Sequence, residues 1–92
     1  MKHYLVAHRF KSEEHRAKHF EASAQLSVDD MRAHMKNENA SFQMNWGNPD
    51  EMVTYCWWKA NSPEDILSTL GEMADLYHND IKEMPLVANV AD

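Results

Sequence analysis

The hydrophobic and polar positions divide the chain into strands and helices by their spacing. From His3 to Phe10, Leu5, Val6 and Phe10 stand among β-compatible residues and predict a first strand. Ser12 precedes Glu13 and Glu14, so a serine oxygen can accept from a free helix N–H while acidic groups meet the positive end of the dipole. A helix is therefore predicted from Glu13 to Gln25, with Ala17, Phe20 and Ala24 along one side. Ser27-Val28-Asp29-Asp30 offers a second start, and Val28, Met31 and Met35 recur at helical spacing, so the helical region is expected in two segments. Phe42, Met44 and Trp46 alternate with Ser41, Gln43 and Asn45, the period-two signature of a strand.

Gly47-Asn48-Pro49-Asp50 is a turn sequence, and Met52 to Ala60 forms the strand after it. If Trp46 pairs with Glu51, Phe42 faces Tyr55, Met44 faces Val53, and Trp58 shares the other face with Cys56. Ser62-Pro63-Glu64-Asp65 combines an N-cap serine, proline at the first helical position and acids behind it. The helix it opens presents Ile66, Leu67, Leu70, Met73, Ala74 and Tyr77 on one face and ends at His78-Asn79-Asp80. A last strand is predicted from Met84 to Val90. Pro85 has no N–H to give a ladder, so this strand belongs at a sheet edge.

Strand, helix, strand, strand, helix, strand is the βαββαβ order of an α+β, ferredoxin-like sandwich. The expected form is a four-stranded antiparallel sheet with its helices on one face, and residues 1–92 make one domain. The other sheet face then keeps large apolar groups, which a second copy would cover. The expected assembly is a homodimer of the dimeric α/β-barrel kind. A chain of 92 residues has a modest core of its own, which favours the same conclusion.

Charge and composition narrow the partners. The net charge is −6 and the basic residues are scattered, so neither nucleic acid nor an anionic membrane is an expected partner. A single cysteine allows no internal disulfide, and the first residues contain an apolar run too short for a signal-peptide core or a membrane span. The cytoplasm is the expected location.

The stretch from Asp50 to Asp65, with Cys56 central in its strand and Ser62-Pro63-Glu64-Asp65 opening its helix, resembles a segment of small bacterial ferredoxin-like proteins. These form a domain family of unknown function that includes nickel-responsive members. Asp80-Ile81-Lys82-Glu83-Met84 is similar to that family's lead into its last strand. The resemblance covers roughly the second half of the chain and implies a bacterial, dimeric α/β-barrel protein. Where such proteins often carry a His followed by Gly late in the second helix, this chain has Ala74 and Asp75, so that nickel ligand is not carried over. The broader group of dimeric α/β-barrels includes cofactor-free monooxygenases, muconolactone-type isomerases and haem-handling proteins.

Six histidines are the most conspicuous polar feature. His8, His15 and His78 are expected toward one end of the sheet, and His15 and His19 are spaced i, i+4 on one helix face. His8, His15, His19 and His78 are thus candidate ligands for nickel or zinc, with Glu14 or Asp80 in support. The plainer reading makes them solvated or helix-capping side chains. Cys56 reads as a small core residue, because no base lies near it in sequence.

The leading functional expectation is a small-molecule-binding dimer. Its pocket for an apolar or aromatic ligand lies between sheet and helices, with Gln43, Asn45, Trp46, Trp58, Tyr77 and His8 as candidate contacts. The alternatives are a cofactor-independent monooxygenase or isomerase using His8 and His78 as acid and base, and a transition-metal protein. No organic cofactor is implied.

Overall fold

The computed structural model describes residues 1–92. Strand β1 (Lys2–Phe10) leads to helix α1 (Glu13–Ala24) and helix α2 (Val28–His34). Strands β2 (Ala40–Trp46) and β3 (Val53–Ala60) form a hairpin. Helix α3 (Pro63–Leu70) continues as a 3-10 turn over Gly71–Leu76 into β4 (Tyr77–Glu83). The four strands make one antiparallel sheet in the order β2-β3-β1-β4. This is a compact α+β fold, with its strands in the order expected of a split βαβ unit.

The serine caps act as the sequence predicts. The hydroxyl oxygens of Ser12, Ser27 and Ser62 accept from the backbone N–H of His15, Asp30 and Asp65, and Asp30 returns a bond to the N–H of Ser27. Each cap satisfies a donor the helix leaves open and contributes about 1 kcal/mol. The two helical segments meet at Leu26-Ser27, as the second cap requires.

The core lies between the sheet and its helices. Alternation along β1 sends Tyr4, Val6, His8 and Phe10 inward, and β3 sends Thr54, Cys56, Trp58 and Ala60 the same way. Ile66 and Leu70 of α3 cover them. Trp58 is fully buried, with the ring of Phe42 edge-on at 5.2 Å.

Three expectations need correction. The last strand is not Met84–Val90 but Tyr77–Glu83, and the residues after Met84 have no regular structure. The cause is Gly71, whose φ of 59° ends α3 after two turns and brings the chain into the sheet earlier. Tyr77, Asn79 and Ile81 then face the helices, while His78, Asp80 and Lys82 face away, so this edge strand is polar on one side and reads as a loop in sequence.

The hairpin register also differs. Trp46 pairs with Tyr55, not Glu51, and a bulge between Phe42 and Met44 changes the alternation within β2. Phe42 therefore packs inward against Trp58, whereas Met44 and Trp46 join Tyr55 and Trp57 on the uncovered face. An extra residue in one strand reverses the facing of all that follow it. Finally, the inward side of α1 carries His19, with Phe20 partly buried beside it, while Ala17 and Ala24 are exposed.

Candidate functional site

The uncovered sheet face is floored by Leu5 of β1, Met44 and Trp46 of β2, and Trp57 of β3. Met84 donates its N–H to the carbonyl of His3 at 2.8 Å, which turns the following segment back over this floor. Leu86, Val87 and Val90 then border the open side of a groove of about 640 Å³. Eleven of its fourteen lining residues are hydrophobic, so water in it is poorly held. The polar groups are few and fixed. The Trp57 indole donates to Nδ1 of His3 at 3.0 Å, and the two rings stack with centroids 5.7 Å apart. Gln43, at the bulge, donates its amide to the Ser41 hydroxyl at 2.9 Å and borders the groove.

The predicted ligand contacts divide among three places. Gln43 and Trp46 line the groove. Asn45 is turned toward the helices, where its amide donates to the Thr54 hydroxyl, the Tyr55 carbonyl and the Cys56 sulfur at 3.0–3.2 Å. It borders a smaller, more polar recess of about 490 Å³ beside Met31 and Arg32 of α2. Trp58 and Tyr77 are core residues. His3, Leu5, Met44 and Trp57 were missed as site residues. Strict alternation along β1 would have placed His3 and Leu5 together, and the bulge hides the other half of the patch.

The histidines separate as well. His8 is buried against Tyr77, with ring centroids 4.5 Å apart. Its Nδ1 bonds to the Asn79 side-chain oxygen at 2.6 Å. The Asn79 amide donates to the Ala74 carbonyl at 3.1 Å, which turns that oxygen toward the imidazole. His8 is thus held as the tautomer that donates from Nδ1, and its Nε2 faces the interior without a partner. Burial lowers its pKa to about 4, the Asn79 bond opposes the shift, and the charge of a protonated His19 adds to it. His19, among Phe10, Phe20 and Tyr77, is also lowered by burial, and its Nδ1 is likewise unpartnered.

His15 is engaged by the Ser12 hydroxyl at 2.5 Å, and His78 is exposed on the opposite face of the sheet from His8. Strand alternation therefore keeps His8 and His78 out of one cavity. Within one chain, no group of three or more His, Cys, Asp or Glu side chains is placed to hold a metal ion.

Cys56 is buried, and loss of hydration pushes its thiol up to about 12, with the Asn45 amide opposing. The folded protein is expected to be at least ~100-fold slower than a free thiol toward a disulfide reagent at pH 8, and to react at the free rate in denaturant. A native rate near that of a small thiol would contradict this burial.

No protein-family model matches the chain, and no curated protein sequence matches it. Among solved structures, SCO4226 from Streptomyces coelicolor A3(2) is similar. It aligns over 94% of this chain and 99% of its own length, with a TM-score of 0.57 and 24% identity. The likeness establishes a shared small α+β fold with a bacterial protein. No helix is long and apolar enough to cross a membrane.

Proposed function

We propose that the chain is a small-molecule-binding protein that takes an apolar or aromatic ligand in the groove on its uncovered sheet face. The carrying observation is the groove itself: about 640 Å³ of concave, largely hydrophobic surface floored by Trp46 and Trp57, with His3 and Gln43 as sparse polar anchors. Its volume is in the range of ordinary ligand pockets, roughly 300–1,000 Å³. The working unit is a ferredoxin-like homodimer of the dimeric α/β-barrel kind, in which a second sheet roofs the groove. The resemblance of the stretch from Asp50 to Asp65 to small bacterial ferredoxin-like proteins supports that assembly. An acid/base role for a His8–His78 pair draws less support, since the two imidazoles lie on opposite sides of the sheet.

Fluorescence titration with naphthalene- and anilinonaphthalene-type probes tests the reading, because bound probe quenches Trp46 and Trp57. Saturable binding in the micromolar range is expected, weakened at least ~10-fold in Trp57→Ala by loss of the aromatic floor. No saturation below about 1 mM, or an affinity unchanged from wild type in both Trp57→Ala and Trp46→Ala, would exclude the groove as the site.

A further inference from the structure

Leu86 and Val90 are 93% and 90% exposed, although both belong to a segment that folds back over an apolar surface. They stand at the margin of the groove with almost no protein against them, while Val87, nearer the sheet, is half-buried. Behind them, Leu5, Met44, Trp46 and Tyr55 are each four to five tenths exposed on the same side of the molecule. These seven residues together expose roughly 700 Å² of surface, close to the ~800 Å² that one partner contributes to a standard protein interface. Their setting matches as well. Aromatic residues and methionine occupy the centre, and Arg9, Lys59, Asp80 and Lys82 lie around them, which is the apolar-centre, charged-rim pattern of interfaces.

We propose that the segment Met84–Asp92 is a reciprocal clamp between two copies of this chain. Leu86 and Val90 of each copy seat against the apolar sheet face of the other, over its Trp46–Tyr55 pair. The inference rests on the homodimer read above and adds the element that closes it. A twofold arrangement satisfies both copies at once, because each presents the same clamp and the same patch, and the contact closes at two chains. Leu86 and Val90 then gain the burial that their own sheet does not provide, and the groove behind them is sealed from water.

Sedimentation velocity on the full chain, from about 1 to 100 µM, gives the test. Wild type is expected as a dimer. Leu86→Asp with Val90→Asp should weaken association at least ~100-fold, since each change replaces a buried apolar contact by an unpaired carboxylate. The milder pair Leu86→Ala with Val90→Ala should weaken it at least ~10-fold. Both variants keep the wild-type circular dichroism, because neither side chain packs within its own chain. Trp57→Glu, on the sheet face itself, tests the dimer apart from the clamp. A monomeric wild type at every concentration overturns the dimer and the clamp together. A wild-type dimer broken by Trp57→Glu but unchanged by the two Leu86/Val90 variants overturns the clamp alone. Probe titration of the wild type reads the ligand site apart from the mass, so a wild-type dimer that binds no probe overturns the ligand reading while the clamp stands or falls on the Leu86/Val90 variants.

Discussion

Trp58→Ala is expected to lower the unfolding free energy by about 3–5 kcal/mol, the usual cost of truncating a buried large aromatic. A chain of this length has on the order of 5–14 kcal/mol in total, so this one change removes a large share of it. Trp58 is fully buried at the centre of the core. It pairs across the sheet with Tyr4 on one side and Phe42 on the other, and Ile66 and Leu70 cap the same cluster from α3. Trp58→Phe should cost much less, because it keeps most of the buried aromatic volume. Urea denaturation followed by circular dichroism, at a concentration where association is constant, measures all three proteins. Trp57→Ala serves as the contrast: its ring lies on the uncovered face, so its effect falls on ligand and partner rather than on the core. A smaller loss in Trp58→Ala than in Trp57→Ala would mean that the sheet faces are assigned the wrong way round.

The adjacent tryptophans show how far the sequence could be read. Period-two alternation establishes that Trp57 and Trp58 lie on opposite faces, but not which face the helices take. The burial of Thr54 and Cys56 beside Trp58 decides it; Cys56 reads as a core residue in the sequence, but Thr54 does not. The caps at Ser12, Ser27 and Ser62 were legible because each motif is local and has one physical solution. The end of α3 was not. Gly71 reads equally as a tolerated interior glycine or a stop, and only its positive φ separates the two. Misplacing that end moved the last strand by seven residues and put Tyr77 in a helix.

The candidate site was less legible than the fold, because it is assembled from separate pieces. The bulge beside Gln43 brings Met44 and Trp46 to the face of Leu5 and Trp57, and a one-residue insertion of this kind leaves no mark in composition. The segment after β4 comes to border the groove only through the bond from Met84 to His3, 81 residues apart. The histidines misled for the opposite reason. Their spacing suggested convergence, whereas sheet alternation and helix phase send His8 and His19 inward and His78 to the far side.

Those two inward histidines make the stability of the fold depend on pH in the acid range. Burial lowers the pKa of His8 to about 4 against an ordinary value near 6.5, and that of His19 moves the same way. The unfolded chain therefore takes up protons on both imidazoles as pH falls through about 6.5, while the folded chain does not until near 4 for His8. Protonation pulls the equilibrium toward the unfolded state. The stability that a neutral His8 permits is complete above about 6.5 and is lost progressively down to about 4, and His19 adds a loss of the same sign below about 6.5. Each contributes a slope of up to about 1.4 kcal/mol per pH unit within its window, and His8 alone accounts for a loss on the order of 3 kcal/mol. The geometry explains why the folded state resists the proton. Nδ1 already donates to Asn79, so the incoming proton must go to Nε2, which is buried with no hydrogen-bond partner. His8→Gln keeps a neutral donor toward Asn79 and has nothing to titrate, so its stability should vary much less between pH 7 and 4.5. Urea midpoints across that range, for wild type, His8→Gln and His19→Gln, make the comparison. A wild-type stability that is flat from pH 7 to 4.5, or a slope that survives both substitutions, would show that neither imidazole is held neutral by the fold.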